Sequence, residues 1–242
     1  MQGVEVKTDL EEIEDDTLTR QEISNPNEKK GISYFTYLLV KRIFDIVGSF
    51  IGIIILIPTT IVIWMARIIL KENDGPLFYE QLRYGKNGKV FRLYKFRTMV
   101  IDADEKLKKF LAENKDDERA KYYKKYKKLK DDPRVTKLGK FLRKTSIDEL
   151  PQLINIFLGQ MSFVGPRPYL IREKDDMGKS FDEIMKVKPG LTGYWQVSGR
   201  SNALFEERIK LDLYYAEHKS LWFDAKIFLK TFKAVLKREG AR

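Results

Sequence analysis

Cysteine is absent from the 242 residues and histidine occurs once. Those absences exclude a disulfide framework, a thiol nucleophile and a zinc ribbon, and they leave only a hard, oxygen-liganded metal open. An early apolar run is also missing, so no signal peptide is expected. Charge itself disappears between Ile46 and Ala66, where "IVGSFIGIIILIPTTIVIWMA" runs for 21 residues without an ionisable side chain. That length is enough to cross the hydrocarbon core of a bilayer, and a buried helix of a soluble protein seldom runs so far without a polar stripe.

Elsewhere charge is abundant and unevenly distributed. The net charge is +11, yet residues 1–30 hold nine acids and four bases, so this stretch carries −5 and the remainder +16. The main body should therefore seek anions: phosphates, nucleic acid or anionic lipid headgroups. The acidic stretch has few periodic apolar positions and reads, with residues up to 35, as a mobile tail. At this length the chain suits one large domain or one domain with appendages. The expected division is a tail over 1–35, a membrane helix over 36–72 and a catalytic domain over 73–242.

Pro58 lies inside the uncharged run, where it removes a backbone hydrogen bond and tends to kink a helix. Both flanks are basic, with Lys41 and Arg42 before the run and Arg67 and Lys71 after it, so the positive-inside rule favours neither direction of crossing. A helix broken at Pro58 that enters and returns to one face satisfies both ends. Next, "GPLFYEQLRYGKNGKVFRLYKFRTM" contains two aromatic-rich runs around Lys86-Asn87-Gly88-Lys89; Asn-Gly suits a type I′ turn and predicts a β-hairpin. Its Gly-Lys pairs lack the spacing of a phosphate loop. Residues 102–130 read as a charged helix ending in "KYYKKYKKLK", either a solvated face or an anionic-lipid contact.

In "RKTSIDELPQLINIFLGQ" the apolar residues Leu150, Leu153, Ile154, Phe157 and Leu158 recur at helical spacing and Gly159 supplies a stop. With Asp148 as N-cap, Pro151 falls at the third helical position, which lacks an intrahelical donor bond anyway. The last stretch, "LWFDAKIFLKTFKAVLKREG", aligns Lys226, Lys230, Lys233 and Lys237 opposite Ala225, Phe228, Leu229, Phe232 and Leu236. It is an amphipathic basic helix that suits a membrane surface or the domain core equally. The fold class is thus mainly α with a small β-hairpin (α+β), with amphipathic surface helices.

Asp148 and Glu149 could simply be a cap and a favourable charge at a helix start. Phosphate-type groups in separate blocks shift the reading towards chemistry: Lys95 and Arg97 in "YKFRTM", Arg143, Arg167 between Pro166 and Pro168, and Arg200 in "WQVSGRS". The two prolines restrict the backbone around Arg167 and fix where its guanidinium points.

Together "KRIFDI", "YKFRTM", "DPRVTKLGKFLRKTSIDELPQLINIFLGQMSFVGPRP", "KPGLTGYWQVSGR" and "LDLYYAEHKSLWFDAKIFLKT" resemble the bacterial sugar transferase family, the monotopic polyprenyl-phosphate phosphoglycosyl transferases. The resemblance runs from about Lys41 to the C-terminus, with five blocks in the family's order. It implies transfer of a sugar 1-phosphate from a UDP-sugar to undecaprenyl phosphate with release of UMP and a requirement for Mg2+. It also implies a re-entrant helix broken at a proline, and attachment to the cytoplasmic face of the bacterial inner membrane. The small polar residue usual before that proline is Ile57 here. Asp148 matches the family's nucleophile, a helix N-terminus would keep it ionised, and Lys95, Arg143 and Arg167 would hold the phosphates. Glu149 would position the metal beside Asp148 or activate the lipid phosphate. The expected partners are a UDP-sugar (galactose or glucose), undecaprenyl phosphate and the bilayer, with monomer and homodimer both open. A non-enzymatic regulator of polysaccharide assembly would need no Asp-Glu pair and should show coiled-coil heptads, which are missing. The 21-residue uncharged run argues against nucleic acid as a partner.

Overall fold

The structure, a computed structural model, describes residues 32–72, 74–114, 117, 118, 120, 123, 129, 132–198 and 204–237. The acidic stretch 1–30, most of "KYYKKYKKLK" and Arg200 lie outside the described residues. Residues 1–40 and 41–242 form separate compact units. In the first, the described residues open a long helix, with the rings of Tyr34 and Tyr37 6.2 Å apart. All that follows concerns the second.

The described residues are mainly helical, with two small sheets. Helix α1 spans Ile32–Ile69. Strands β1 (Phe78–Tyr84) and β2 (Val90–Phe96) form an antiparallel hairpin with Tyr79 opposite Lys95 and Arg83 opposite Phe91. Helices α2 (Ala103–Glu113), α3 (Lys137–Lys144) and α4 (Gln152–Phe157) lead to β3 (Ser162–Val164). The short helices α5 (Lys174–Met177) and α6 (Ser180–Ile184) precede β4 (Gly190–Thr192), which pairs in parallel with β3. Helices α7 (Tyr194–Val197), α8 (Phe205–His218) and α9 (Leu221–Lys237) are the last of the described elements.

Helix α1 is long and apolar enough to cross a membrane. One stripe of it, Asp45, Ser49, Leu56, Ile63 and Arg67, is buried at helical spacing. Asp45 accepts hydrogen bonds from the Ser162 hydroxyl (2.9 Å) and the Phe163 N–H (3.0 Å). Gly48 and Gly52 let Phe163 and Leu153 approach so closely that a Cβ at either glycine would stand 2.7 Å from the facing side chain. Ile53 packs against the core cluster of Phe91, Leu93, Leu153, Ile156 and Met161, while Leu56 and Ile63 join Phe96 and Leu142. The outer face of α1 is bare: Phe50, Ile51, Ile54, Ile57, Ile61, Val62 and Trp64 are all more than half exposed.

Three expectations need correction. The helix does not end at Pro58 but runs unbroken through it. The hydroxyls of Thr59 and Thr60 donate to the carbonyls of Ile55 and Leu56 (2.8 and 2.7 Å), so these polar groups are satisfied within the helix. The hairpin turn is longer than a two-residue I′ connection: Gly85 N–H donates to the Lys89 carbonyl (2.7 Å) around a five-residue loop. Asn87 (φ 59°) and Gly88 (φ 71°) take the positive φ that Asn-Gly favours, and Asn87 N–H is held by the Met185 carbonyl. Asp148 is not the cap of α4; it sits within a 3₁₀ turn, Ile147–Glu149, and Pro151 precedes the helix at φ −60°. Helix α9 buries Asp224 and Ile227, with Phe228 partly covered, and leaves Trp222, Leu229 and Phe232 exposed among its lysines. Its apolar residues thus divide between core and surface.

Candidate active site

Helix α3 begins at a Thr136 cap, whose hydroxyl accepts from Gly139 N–H (2.9 Å). Only glycine fits at 139, because a Cβ would lie 2.1 Å from the Thr98 carbonyl. That close approach sets α3 against the extension of β2, and Arg143 at its far end donates through Nε to Thr98 Oγ1 (2.9 Å). The helix then stops. Ser146 takes a left-handed conformation (φ 58°), which reverses the chain into the 3₁₀ turn carrying Asp148 and Glu149.

Asp148 is 8% exposed. Burial raises its pKa to about 6, opposed by the positive charges of Lys95 and Arg143 and reinforced by Glu149. The expectation that a helix N-terminus keeps this carboxylate low is therefore corrected: desolvation dominates. At pH 7 a group with this value is still ionised by about ten to one. Its neighbour Glu149 forms an ion pair with Lys95 (Nζ to Oε1 2.6 Å), which fixes the second carboxylate and brings the Lys95 ammonium to the cluster. Asp132 and Arg134, joined in a two-pronged contact (2.8 and 2.6 Å), also exert their charges on Arg143.

A second charged cluster surrounds the Pro166-Arg167-Pro168 loop. Asp212 on α8 is fully buried and accepts from the Arg167 backbone N–H (3.1 Å) and the Tyr169 hydroxyl (2.7 Å). The Arg83 guanidinium donates to the Pro168 carbonyl (2.8 Å), and Tyr84 N–H donates to the Tyr169 carbonyl (3.0 Å). The Gly190 N–H donates to the Pro166 carbonyl (2.8 Å), so the loop is held from both flanks. The Arg167 side chain lies 3.8 Å from Glu173, and Arg208 stacks 5.2 Å from the Trp195 ring centroid. Burial lowers the pKa of Arg83 to about 10, aided by the charge of Arg167, and burial raises that of Asp212 to about 7.

The structure thus gathers Asp148, Glu149, Lys95 and Arg143 into one cluster and puts Arg167, Pro166 and Pro168 in another. The hairpin joins them. One row of it runs from Tyr79 opposite Lys95 to Arg83 opposite Phe91, four residues or about 13 Å along the strands. Arg97 points elsewhere, donating to the Pro76 carbonyl (2.9 Å) and lying 5.6 Å from the Tyr79 ring centroid. Sequence reasoning missed Thr98, Arg83, Asp212, Tyr169 and Arg208. The alternation Tyr79, Gln81, Arg83 on a strand whose partner row is buried could have flagged Arg83; nothing local marks Asp212.

No group of three or more acidic or histidine side chains that could hold a metal occurs among the described residues. Asp148 and Glu149 are adjacent carboxylates, the second already paired with Lys95, and Mg2+ is usually bound through one or two carboxylates together with substrate phosphates.

The described residues thus include a buried carboxylate among cations, an arginine loop about 13 Å away along the hairpin, and a long apolar helix. Residues 36–238 match the family model described as bacterial sugar transferase, and the chain belongs to that family. Over 84% of its length it is 45% identical to an undecaprenyl-phosphate galactose phosphotransferase of Salmonella typhimurium, of which the match covers 41%. It is 40% identical over 99% of its length to a galactosyl transferase, CpsE, of Streptococcus agalactiae, covering 53% of that protein. The chain therefore spans about half the length of these two relatives. A smaller relative, the exopolysaccharide production protein ExoY of Rhizobium meliloti, is 38% identical, with 84% of this chain matching 88% of it.

Proposed function

We propose that this protein transfers a sugar 1-phosphate, from UDP-galactose or UDP-glucose, to undecaprenyl phosphate, as the first membrane step in making an exopolysaccharide, capsule or O-antigen. The observation that carries the reading is Asp148: a buried carboxylate under the positive charges of Lys95 and Arg143, in a chain of this family. In the first half of the reaction an Asp148 carboxylate oxygen attacks the β-phosphorus of the UDP-sugar. The bond from that phosphorus to the bridging oxygen breaks, and UMP leaves with the electron pair. In the second half an oxygen of the lipid phosphate attacks the same phosphorus, forming the lipid diphosphate sugar and regenerating the carboxylate. Lys95 and Arg143 offset the charge that gathers around the reacting phosphoryl group. Asp148 and Glu149 would hold Mg2+, which would supply further neutralisation of the diphosphate. Arg167, with Arg200, takes the nucleotide phosphates. Of the names carried by the relatives above, galactose is the sugar that recurs, which makes UDP-galactose the first donor to test.

The expected outcome with UDP-galactose is UMP release by the wild type and none by Asp148→Asn. Without lipid acceptor, intact-protein mass spectrometry should find a sugar-phosphate adduct on the wild type that vanishes when undecaprenyl phosphate is added. An obligatory ternary complex with no trappable adduct would replace the two-step route with direct transfer.

The same reading takes the protein as monotopic on the cytoplasmic face of the inner membrane. Its support is the buried stripe of α1: from Asp45 to Arg67 it extends about 33 Å, matching the roughly 30 Å hydrocarbon core. A perpendicular crossing would draw β2, α3 and α4 through the hydrocarbon along with it, together with the Lys95–Glu149 pair. Laying α1 along one side of the bilayer, with its bare outer face in the apolar layer, avoids that cost. The exposed Trp222, Leu229 and Phe232 on α9 would join the same surface, with lysines at the headgroups. Single cysteines placed at Ser33 and at Lys71 should both label from the cytoplasmic side only; labelling from opposite sides would establish a crossing.

A further inference from the structure

A cavity of about 340 Å3 opens where α1 ends, between that helix, the segment following β2 and the start of α3. None of Asp148, Glu149, Lys95 or Arg143 lines it, so an occupant takes no part in the transfer at Asp148. Arg67, Lys71, Arg97 and Lys137 face it together with Glu72 and Asp74, a formal excess of two positive charges. Both oxygens of Glu72 accept backbone N–H groups, from Lys137 (2.8 Å) and Leu138 (3.1 Å), so this carboxylate is spent on the first turn of α3. Arg67 is likewise engaged, donating to the carbonyls of Glu72, Asp74 and Gly75, and Arg97 donates through Nε to that of Pro76. The ammonium groups of Lys71 and Lys137 and the carboxylate of Asp74 form no ion pair among the described residues, and all three residues are exposed.

Lys71 stands where glycine is usual. Its N–H donates to the Ile68 carbonyl (3.1 Å) and the Glu72 N–H to the Arg67 carbonyl (2.8 Å), the paired bonds that close a helix on a left-handed residue. Lys71 is that residue, at φ 55°. A side chain raises the backbone energy in this conformation, so closing α1 does not account for a lysine here. Between Arg67 and Lys71, the residues Ile68, Ile69 and Leu70 are 45%, 79% and 47% exposed. From Lys137 the exposed face of α3 continues through Lys140, Phe141 and Lys144 at helical spacing, which leaves the Phe141 ring bare among three lysines. Apolar side chains standing out beside cations match a lipid surface, where the rings and branches enter the acyl layer and the charges stay with the headgroups.

We infer that this cavity binds the headgroup of an anionic glycerophospholipid of the phosphatidylglycerol type, with its phosphodiester between Lys71 and Lys137 and its hydroxyls towards Asp74. Its acyl chains then cover Ile68, Ile69 and Leu70. Resting on the monotopic reading above, the site adds a resident lipid that fixes the depth at which α1 ends and α3 begins. A nucleotide would leave the apolar residues uncovered, and a zwitterionic head would leave the charge excess in place. The cavity is also at the small end of ligand pockets, about 300 to 1,000 Å3, as suits a headgroup whose chains lie outside.

The test uses the full chain in detergent and native mass spectrometry, which reads bound lipid without turnover. The probes are phosphatidylglycerol, phosphatidylethanolamine, undecaprenyl phosphate and glycerol 3-phosphate. The wild type should retain phosphatidylglycerol roughly thirtyfold better than phosphatidylethanolamine, the scale for two cations facing an anionic head. Glycerol 3-phosphate, which has no chains, should compete weakly. Lys71→Gln/Lys137→Gln should abolish the preference and Lys71→Arg/Lys137→Arg should keep it, separating lost charge from lost structure. Lys71→Gly should lower retention about fivefold, the scale of one cation. Its thermal unfolding should stay at or above the wild-type temperature, because glycine suits the left-handed position. Retention of undecaprenyl phosphate, and adduct formation from UDP-galactose without acceptor, should stay at wild-type levels in all three variants. Equal retention of the two phospholipids, retention indifferent to the glutamine pair, or a glutamine pair that releases undecaprenyl phosphate instead would each overturn the assignment. Cysteines at Ser33 and Lys71 that label from opposite sides would remove the monotopic reading, and a lysine-dependent preference would still leave the site standing. Same-side labelling without that preference would do the reverse.

Discussion

Asp148 and Asp212 are both carboxylates at most 8% exposed, and burial raises both, to about 6 and about 7. They differ in what else reaches them. Asp212 accepts a backbone N–H and a tyrosine hydroxyl at one oxygen, Oδ2, which holds the Pro-Arg-Pro loop in place. Asp148 has the charges of Lys95 and Arg143 nearby, and its own backbone N–H helps to hold the carboxylate. One buried acid is therefore engaged in structure and the other is available to a substrate. Desolvation alone does not separate a nucleophile from a structural acid; the donors around it do.

The largest effect expected from this contrast is at Asp148. Asp148→Asn should reduce UMP release by at least about a thousandfold, the scale of losing a covalent nucleophile. Stability should move the other way. The folded pKa lies above the ordinary carboxylate value, so ionisation in the fold costs energy at pH 7, and that cost vanishes below about pH 4. A neutral amide removes it, and thermal unfolding monitored at pH 7 should register a gain of about 1 to 3 kcal/mol. Loss of both activity and stability would make Asp148 a structural acid like its counterpart.

Asp212 should respond in the opposite sense. Asp212→Ala strands the Tyr169 hydroxyl and the Arg167 N–H, and should destabilise the fold by roughly 2–4 kcal/mol in denaturant titration. Asp212→Asn keeps an acceptor and should hold turnover within about tenfold. If the asparagine variant folded normally and lost as much activity as Asp148→Asn, the distinction between the two acids would fail.

A smaller effect concerns pH. Adduct formation needs ionised Asp148, so its rate should fall as pH drops through about 6. Lys95 opposes the upward shift, so Lys95→Gln should move that limb to higher pH; a limb that stays put would show that Lys95 does not act on the nucleophile. The smallest effect is at the base of α3. Thr136→Ala removes its cap and should cost about 1 kcal/mol, with wild-type adduct chemistry if Arg143 keeps its bond to Thr98.

The hairpin, the long apolar helix and the adjacent carboxylates were legible because each is a local pattern. Asn-Gly supplies the positive φ of the turn, the uncharged run supplies α1, and Gly159 ends α4 at φ 79°. The start of α4 was misjudged because the capping pattern around Asp148 competes with a turn set by Ser146 in the left-handed region, which no propensity requires of serine. The parallel pairing of β3 with β4 joins Ser162 to Gly190, and three-residue strands carry too little periodicity to be seen.

What the sequence by itself determined is therefore the inventory: a basic body, one apolar helix with basic flanks, an Asp-Glu pair and arginines in separate blocks. Only the tertiary structure decided how that inventory is divided. It set Lys95 and Arg143 beside Asp148, and held Arg167 against Asp212, 45 residues away in sequence. It also turned a continuous stripe of α1 inward along the domain. These outcomes depend on burial and on contacts between distant segments, and the energy of a charged group depends on its surroundings far more than on its neighbours in the chain.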